Sequence, residues 1–321
     1  MKILFCGRIF AEAPEFLAKA LPSDEIRCCD SLEVARMSSD VDVLIPLMTP
    51  VTADIIESGA MRLIQQWGVG LEGVDIACAS RKGISVCNVP GDVTLNADST
   101  AEHAIFLMMA LARRMNEFGA SFRSNGWGSP TGLALSGTTA LIVGLGRVGR
   151  SLAKKIKALG MIVHAINRSG KTLEEDASYI DQTGSLSDIY AMSGRADFVI
   201  SCASLNDQTR ALFDSRLFNS MKSSGFVVNV SRGPIVVEAD LIEALSTGKI
   251  AGAGLDVFAT EPFAVNQDLL KSPRVVTSPH IAGVTSQNYE GICSVVADNI
   301  QRLKDSRPLL YCANSGDIQK S

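Results

Sequence analysis

Short apolar runs alternate with helical patterns along almost the whole chain, and two series of such runs can be separated. The first series predicts five strands, at residues 2–7, 25–29, 41–47, 63–67 and 85–88, with helical segments such as 52–58 between them. The second predicts six strands, at residues 139–143, 162–166, 198–202, 226–230, 254–258 and 275–277. Alternation of strands with helices is typical of parallel sheets with crossover helices. The pattern therefore predicts an α/β protein with two doubly wound parallel sheets.

A segment that is apolar nearly all around, residues 99–118, lies between the two series and predicts a long buried helix that links two domains. The turn-forming sequence RSNGWGSP follows at residues 123–130 and predicts a loop or arm. Trp127 on this arm packs either against a second subunit or against its own domain, and the sequence leaves both interpretations open.

Composition narrows the classes of function. The 321 residues fit two domains of ordinary size, and 46% hydrophobic with 20% charged residues is typical of a globular chain rather than a disordered one. A net charge of −4, with only short basic clusters, argues against a nucleic-acid partner. The longest apolar run, residues 104–112, is about half the roughly 20 residues that a membrane-spanning helix needs, so no membrane segment is predicted.

Cysteine and histidine usage indicates the cellular compartment and the absence of a metal site. Eight cysteines are scattered without a C-x-x-C pair, which favours buried reduced thiols in a cytoplasmic protein. The first residues resemble a strand rather than a signal peptide. Only three histidines occur, without close Cys/His spacing, so we expect no metal.

The sequence GLGRVG at residues 144–149 follows a predicted strand and opens the helical pattern of residues 151–159. In that context it predicts a dinucleotide-binding turn, in which the first glycine permits the tight turn, the second lets the backbone approach the pyrophosphate and the third allows close helix packing. The anion rests on the helix N-terminus. The predicted cofactor contacts in this loop are Gly144, Gly146, Arg147, Val148 and Gly149.

The end of the following strand indicates which dinucleotide is bound. An acidic residue about 20 residues after the glycine loop usually binds the ribose 2′-hydroxyl, but here the strand ends in Asn167, Arg168 and Ser169. Arg168 can neutralise a 2′-phosphate, and the Asn167 and Ser169 side chains can donate hydrogen bonds to it. The sequence therefore predicts NADP(H) in preference to NAD(H).

Three consecutive predicted strands of the second series are followed by charged residues. Arg232 follows strand 226–230, Glu261 follows strand 254–258, and His280 follows strand 275–277. Because ligands bind at the carboxyl ends of strands in open α/β sheets, we expect an arginine, a carboxylate and an imidazole at one rim. Without further information, His280 and Arg232 could equally be a structural histidine and a surface ion-pair residue.

The chain resembles the D-isomer-specific 2-hydroxyacid dehydrogenase family, which includes glyoxylate and hydroxypyruvate reductases. The resemblance rests on residues 66–75 (QWGVGLEGVD), residues 101–104 (AEHA), the glycine loop and the segments around Arg232, Glu261 and His280, in that order. It implies a Rossmann cofactor domain, residues 99–284, inserted into a flavodoxin-like substrate domain formed by residues 1–98 and 285–321. It also implies a homodimer, with the helix and arm at residues 100–130 near the interface.

The resemblance further implies a catalytic set of Arg232, Glu261 and His280. Hydride passes between the nicotinamide and C2 of a small 2-oxo acid, and His280 as imidazolium donates the proton. Glu261 orients His280 and favours its charged form, and Arg232 binds the substrate. By resemblance, the backbone N–H groups around Val69 and Gly70 bind the substrate carboxylate, and Asp256 accepts a hydrogen bond from the nicotinamide carboxamide.

Two alternatives remain beside a glyoxylate or hydroxypyruvate reductase. Formate dehydrogenases of the superfamily carry glutamine where Glu261 stands, which argues against that activity, but a phosphite-type dehydrogenase shares the same three residues. A non-catalytic nucleotide-sensing corepressor or scaffold can also retain them. The side-chain preference for the substrate, and the direction of the reaction, cannot be read from the sequence.

Overall fold

A computed structural model describes residues 1–7, 9–263 and 268–318, and the chain divides into two compact units. Unit 1 comprises Met1–Asn96 and Val284–Ser321, and unit 2 comprises Ala97–Gly283. The domain boundaries predicted from the sequence, after residues 98 and 284, lie close to these divisions. Residues 319–321 of the predicted first domain lie outside the described residues.

Twelve strands are present in the described part of the chain: β1 (Lys2–Cys6), β2 (Glu25–Cys29), β3 (Val43–Ile45), β4 (Leu63–Gln65), β5 (Ser85–Cys87), β6 (Thr139–Val143), β7 (Ile162–Ile166), β8 (Gln182–Gly184), β9 (Phe198–Ser201), β10 (Phe226–Asn229), β11 (Gly252–Leu255) and β12 (Val275–Thr277). The α-helices are α1 (Ala13–Ala20), α2 (Val34–Met37), α3 (Ala53–Ser58), α4 (Ile76–Arg81), α5 (Asn96–Ala112), α6 (Phe118–Arg123), α7 (Arg147–Ala158), α8 (Ile189–Ser193), α9 (Ser215–Ser220), α10 (Glu238–Ser246), α11 (Asp268–Lys271), α12 (Ser286–Lys304) and α13 (Ser315–Ile318).

Unit 1 contains a five-stranded parallel sheet in the order β2-β1-β3-β4-β5. Both faces of this sheet are buried, because successive side chains of a strand point to opposite faces. On β1, Ile3 and Phe5 belong to the apolar cluster that contains residues of α1 and α12, whereas Leu4 and Cys6 belong to the cluster that contains residues of α3 and α4. The sheet is therefore the middle layer of unit 1.

Unit 2 contains a seven-stranded parallel sheet in the order β12-β11-β10-β9-β6-β7-β8. The chain runs from β6 outwards through β7 and β8, and then returns to place β9 on the other side of β6. Open α/β sheets bind ligands at such a change of direction, beyond the carboxyl ends of the strands. The site predicted by this topology lies where β6 and β9 end.

The predicted α/β class with two parallel sheets is confirmed, but the prediction of six strands in the second series was wrong. The seventh strand, β8, has the sequence Gln-Thr-Gly and lies at the edge of the sheet beside β7. Its three residues carry no apolar side chain, so the hydrophobic pattern gave no signal for it.

The helix predicted over residues 99–118 ends earlier, at Ala112. The carbonyl of Ala112 accepts a hydrogen bond from the N–H of Leu133 at 2.7 Å, and Arg114 adopts a left-handed backbone with φ of 56°. A short 3₁₀ turn, Met115–Glu117, then leads into α6. The residues that follow, Arg113, Arg114, Asn116 and Glu117, are polar, and the contact with Leu133 lies where the helix ends.

None of the helices in the described residues has the length and apolar character needed to cross a membrane. Within the same residues, no group of three or more His, Cys, Asp or Glu side chains is placed to hold a metal ion.

Candidate active site

The glycine loop joins β6 to α7 and has the geometry of an anion-binding turn. Gly144 has φ of 103°, a conformation that side chains rarely adopt, and a Cβ there would lie 2.6 Å from the backbone of Ala203, just after β9. A Cβ on Gly149 would lie 2.1 Å from the carbonyl oxygen of Gly144. Two of the three glycines are therefore required by the fold itself.

Gly146 differs from the other two glycines, because a Cβ there would meet no atom of the described residues within 4 Å. Gly146 is exposed and is the N-cap of α7, so it offers no side chain to cap that helix. The helix begins with Arg147 and Val148, whose backbone lies at its positive end. An open backbone at a helix N-terminus fits the pyrophosphate of a dinucleotide.

The residues predicted to select the cofactor lie in a turn directly after β7. The Asn167 carbonyl oxygen Oδ1 accepts hydrogen bonds from the Gly170 N–H at 2.7 Å and from Ser169 Oγ at 3.1 Å, and its Nδ2 donates to the Lys171 carbonyl at 2.8 Å. Asn167 and Ser169 therefore stabilise the turn itself. To donate to a 2′-phosphate, Ser169 would have to give up its bond to Asn167, whereas Nδ2 of Asn167 carries a second N–H.

Arg168 occupies the tip of the same turn. Its side chain is exposed and forms no ion pair or hydrogen bond with any residue that the structure describes. A guanidinium without a carboxylate partner keeps its full charge available to an anion. Three residues are predicted to select the cofactor. Among the described contacts, Arg168 is the one of the three whose side chain forms no hydrogen bond within the turn.

Arg232, Glu261 and His280 follow β10, β11 and β12, which are neighbours in the sheet. The Nδ1 atom of His280 lies 2.6 Å from Oε2 of Glu261, and the two side chains are 21% and 12% exposed. The other carboxylate oxygen of Glu261 accepts a hydrogen bond from the Phe258 N–H at 2.9 Å. The imidazole is therefore held in one orientation by a carboxylate that is itself fixed to the backbone.

The charge state of Glu261 follows from these contacts. Burial by itself raises the pKa of Glu261, but the hydrogen bond and the charge of His280 outweigh burial and lower the pKa below its ordinary value. The Phe258 N–H and the positive charge of Arg232 act in the same direction. Glu261 is thus ionised at neutral pH and presents a negative charge to the His280 ring.

Arg232 is placed by the turn that follows β10. The buried Asn229 side chain donates from Nδ2 to the Arg232 carbonyl at 3.0 Å and accepts from the N–H and hydroxyl of Ser231. Arg232 Nη1 in turn donates to the Ser231 carbonyl at 2.8 Å. Gly233 allows the turn to pass close to Phe258, where a Cβ would lie 1.8 Å from the Phe258 carbonyl oxygen.

Asp256 lies at the end of β11 and is fully buried. Its Oδ1 accepts from Ser278 Oγ at 2.6 Å and from the Ile281 N–H at 2.9 Å, and its Oδ2 accepts from the Ala282 N–H at 2.9 Å. The Asp256 carbonyl also accepts from the His280 N–H at 2.8 Å. Asp256 therefore holds the loop that carries His280, and the hydrogen bond from the nicotinamide carboxamide that the resemblance implies would come in addition to these contacts.

His103 of α5 extends this network. Since the Ser278 hydroxyl donates its proton to Asp256, its oxygen accepts from Nε2–H of His103 at 2.7 Å. Burial lowers the pKa of His103, and the charge of Asp256 only partly opposes this. The sequence analysis did not predict that His103 and Ser278 support the His280 loop, because their contact joins residues 175 positions apart.

Val69 and Gly70, the predicted carboxylate-binding residues, belong to unit 1 and follow β4. The Val69 carbonyl accepts from Asn88 Nδ2 at 2.7 Å, and the Gly70 carbonyl accepts from Gln66 Nε2 at 2.6 Å. Within the described residues, the N–H groups of Val69 and Gly70 make no hydrogen bond. The sequence analysis did not single out Asn88, which lies directly after β5 and whose side chain donates the hydrogen bond to the Val69 carbonyl.

Comparison with known proteins gives a family match and several relatives with dehydrogenase or reductase names. Residues 105–282 match the family described as D-isomer specific 2-hydroxyacid dehydrogenase, NAD binding domain. A D-3-phosphoglycerate dehydrogenase from Archaeoglobus fulgidus is 34% identical over 326 residues, which cover 100% of this chain, and this chain spans 60% of that relative's length. A glyoxylate reductase from Thermococcus litoralis is 36% identical over 275 residues, covering 81% of this chain and 80% of the relative.

A solved structure extends the comparison to both units. The NADPH-dependent glyoxylate/hydroxypyruvate reductase from Sinorhizobium meliloti, in complex with NADP and malonate, is 26% identical and has a TM-score of 0.81, with 97% of this chain and 96% of that chain covered. The family match covers more than half of the chain, and the relatives extend it. The chain belongs to the D-isomer specific 2-hydroxyacid dehydrogenase family.

Proposed function

We propose that this protein is an NAD(P)H-dependent 2-oxoacid reductase, equivalently a D-2-hydroxyacid dehydrogenase, that acts on a small substrate such as glyoxylate or hydroxypyruvate. The observation that carries the proposal is the 2.6 Å contact between His280 Nδ1 and Glu261 Oε2, on the sheet edge that also carries Arg232. A buried, ionised carboxylate against one ring nitrogen is the arrangement that a histidine general acid requires.

The roles of the three residues follow from their contacts. Because Nδ1 faces Glu261, Nε2 is the ring atom from which His280 donates its proton to the substrate oxygen. Glu261 stabilises the imidazolium and fixes its orientation. Arg232 supplies a cation for the substrate carboxylate and for the negative charge that develops on the substrate oxygen. The bound nicotinamide supplies the hydride.

The glycine loop and the residues after it hold the cofactor in this proposal. Gly144 and Gly149 shape the turn, and the N-terminal turn of α7, from Gly146 onwards, binds the pyrophosphate. The contacts of Val69 and Gly70 with the substrate carboxylate remain part of the proposal, as do the roles of unit 1 as the substrate domain and unit 2 as the cofactor domain.

A preference for NADP(H) is the second element of the proposal. Arg168 supports it, because this exposed guanidinium follows β7 with no carboxylate partner among the described residues. The bound NADP of the Sinorhizobium meliloti reductase is consistent with this preference. Because Asn167 and Ser169 also form hydrogen bonds within the turn, we expect Arg168 to provide most of the discrimination.

A substrate panel tests the proposed activity. Oxidation of NADPH and of NADH is followed with glyoxylate, hydroxypyruvate, pyruvate and 3-phosphohydroxypyruvate, and reduction of NADP⁺ with phosphite. The proposal predicts turnover of at least one unphosphorylated 2-oxo acid, lost in a His280→Asn control. Turnover confined to phosphite, or tight nucleotide binding with negligible turnover of every compound, would instead support the phosphite dehydrogenase or the nucleotide sensor.

A homodimer formed through the helix and arm is the third element. Phe122 and Trp127 are 72% and 81% exposed, and their rings pack edge to face on each other at 5.9 Å. Trp127 therefore leaves most of its surface uncovered by its own chain, which favours the interpretation that it packs against a second subunit. Light scattering should give twice the chain mass, and Phe122→Ser with Trp127→Ser should give the monomer.

A cytoplasmic location stays part of the proposal, because the cysteines are scattered without a C-x-x-C pair, as expected for reduced thiols.

A further inference from the structure

Two cysteines of unit 1 face each other across an antiparallel bridge. Cys87 is the last residue of β5, and Cys312 lies in the segment that follows α12. The bridge is made by the Asn88 N–H, which donates to the Tyr311 carbonyl at 3.3 Å, and by the Ala313 N–H, which donates to the Val86 carbonyl at 2.7 Å. The hydrogen bonds therefore flank the two cysteines on both sides rather than joining them.

This hydrogen-bond pattern makes Cys87 and Cys312 a non-hydrogen-bonded antiparallel pair. In such pairs the Cα atoms are about 4.5 Å apart and the side chains approach more closely than in the alternating pairs. A disulfide requires Cα atoms about 4.4–6.8 Å apart. The hydrogen-bond pattern thus gives a Cα separation compatible with a disulfide, and both thiols are free.

The two thiols differ in exposure and in acidity. Cys87 is fully buried, whereas Cys312 is partly exposed. The neighbouring Cys87 thiol is the largest influence on Cys312; with backbone N–H groups it outweighs burial and lowers the pKa of the Cys312 thiol to about 6. The same contact, with burial, raises the pKa of Cys87. Cys312 is therefore the more acidic and the more exposed thiol of the pair, and Cys87 is the buried thiol beside it.

The other cysteines of unit 1 lack one or more of these properties. Cys28 is exposed as a residue. Partial desolvation of its thiol and the nearby Cys29 nevertheless raise the pKa of that thiol. Cys6 and Cys29 are paired in register on the parallel strands β1 and β2, and both are buried. Cys293 is also buried, and burial raises its pKa. Exposure, acidity and a facing partner thiol coincide only at Cys312 among the described cysteines of unit 1.

We propose that Cys312 and Cys87 form a modification site that reacts with hydroperoxides, Cys312 as the attacking thiolate and Cys87 as the resolving thiol. The Cys312 sulfur attacks one peroxide oxygen, the O–O bond breaks, and the sulfur becomes a sulfenic acid while hydroxide or alkoxide leaves and takes a proton. The Cys87 sulfur then attacks the sulfenic sulfur, the S–S bond forms, and water leaves. One peroxide is reduced by two electrons, and two thiols are oxidised to one disulfide.

The site is independent of the proposed reaction, but its position connects it to the Val69 loop. Asn88 directly follows Cys87, and its side chain holds the Val69 carbonyl at 2.7 Å. A disulfide at residue 87 would tie the segment around Cys312 covalently to β5, one residue from this contact. Oxidation therefore acts beside a loop that is predicted to bind substrate, without involving any residue assigned to the chemistry.

Peptide mapping of the full chain tests the proposal directly. Trypsin places Cys87 alone in peptide 83–113 and Cys312 alone in peptide 305–320. The reduced protein is exposed to hydrogen peroxide, blocked with N-ethylmaleimide, digested and analysed by mass spectrometry. We expect a cross-link between these two peptides, a loss of two titratable thiols, and reversal by dithiothreitol.

Two variants and a matched control complete the experiment. Cys87→Ser should leave Cys312 as a sulfenic acid that dimedone labels, and Cys312→Ser should abolish peroxide-dependent loss of thiols from this pair. Cys28→Ser, which removes an exposed cysteine without a facing thiol partner, should leave the cross-link unchanged. Because the cross-link is mapped in the unmodified chain, a misfolded variant does not decide the result. Both peptides remaining reduced while Cys28 or another cysteine is oxidised would overturn the proposal.

Discussion

His280 Nδ1 is 2.6 Å from Glu261 Oε2, and the same histidine has a left-handed backbone with φ of 54°. Asp256 holds this conformation, since its carbonyl accepts the His280 N–H and its carboxylate accepts the two N–H groups that follow. The ring is therefore fixed from two directions, by a carboxylate at Nδ1 and by the backbone of its own loop. Residues held in sparsely populated conformations of this kind are concentrated at functional sites.

Replacement of His280 should separate chemistry from folding. His280→Asn removes the proton donor but keeps a residue type that tolerates a left-handed backbone. We expect kcat for 2-oxo acid reduction to fall by roughly 10²–10⁴-fold, the usual contribution of a general acid. Nucleotide affinity and the melting temperature should change little, as measured by fluorescence titration and calorimetry. A variant with kcat near that of the unmodified protein would contradict the proposed role.

Glu261→Gln tests the pH dependence of the pair. Without the negative charge the imidazolium is less favoured, so we expect a fall of at least about tenfold in reductive kcat at neutral pH and a smaller fall at lower pH. The measurement is log kcat against pH for both proteins. Profiles of the same shape, displaced only vertically, would exclude electrostatic support of His280 by Glu261.

The lowered pKa of Glu261 also has a consequence for stability. A depressed pKa favours the ionised form in the folded state, so its contribution to the free energy of unfolding is present above the unfolded value of about 4.3. That contribution is lost as the pH falls through the lower, folded value. The part of the difference in urea midpoint between the unmodified protein and Glu261→Gln that comes from this carboxylate should therefore shrink as the pH falls below about 4. A difference that grows on acidification would have the wrong sign.

Gly146 and Gly149 form a matched pair of substitutions in the glycine loop. Gly149→Ala places a Cβ 2.1 Å from the Gly144 carbonyl oxygen, so we expect unfolding to become easier by ~1–3 kcal/mol. Gly146→Ala places a Cβ with no atom of the described residues within 4 Å, so it should keep the stability of the protein while weakening NADPH binding, because the added methyl occupies the space proposed for the pyrophosphate. Chemical denaturation and nucleotide titration of both variants distinguish the two effects.

His103 provides a test of the network that supports His280. His103→Leu removes the hydrogen bond to Ser278 Oγ at 2.7 Å, whereas His103→Gln keeps an N–H donor near the same place. We expect the leucine variant to lose about tenfold in kcat, or ~1.4 kcal/mol, with little change in KM, and the glutamine variant to recover most of it. Hydrogen exchange at the Ile281 and Ala282 amides should accelerate in the leucine variant alone, while strand β6 stays protected.

Arg168→Ala tests the cofactor preference. Loss of a charged hydrogen-bond donor costs ~1.5–3 kcal/mol, so kcat/KM for NADPH should fall by about 10-fold to 100-fold. The value for NADH, which has no 2′-phosphate, should stay within about twofold on the same argument. Lys171, an exposed cation four residues after Asn167, serves as the control, and Lys171→Ala should leave the ratio of the two cofactors unchanged. Equal losses with both cofactors would count against selective binding of the 2′-phosphate.

The hydrophobic pattern predicted the two parallel sheets and the strands that precede Gly144, Arg232 and His280, because buried parallel strands are continuous apolar runs. It did not predict β8, whose three residues are polar or glycine and lie at a sheet edge. The positions of the predicted site residues came from sequence motifs, because each motif marks the residues that follow the end of a strand. The relation between Glu261 and His280 was expected only from the family resemblance, because their contact depends on side-chain geometry across 19 residues.

The supporting residues were the least predictable part of the site. Ser278 and Asn88 have ordinary polar side chains, and nothing in their neighbouring sequence shows that one supports the His280 loop and the other holds Val69. Asp256 was singled out for a ligand contact, which stays a prediction, and its structural role in accepting hydrogen bonds from the His280 loop was not predicted. Which buried polar group serves the fold and which serves the ligand is decided by tertiary contacts that are distant in sequence.

The discontinuity of unit 1 also constrains the order of events on the ribosome. Ile3 and Phe5 of β1 share an apolar cluster with Val296 and Ile300 of α12, which are translated only after Gly283 completes unit 2. Domains generally fold as units during synthesis. Unit 2 can therefore acquire its core while the N-terminal strands still lack the helix that covers them. Strands β1–β5 of unit 1 are therefore synthesised before unit 2, but their apolar cluster can be completed only after it.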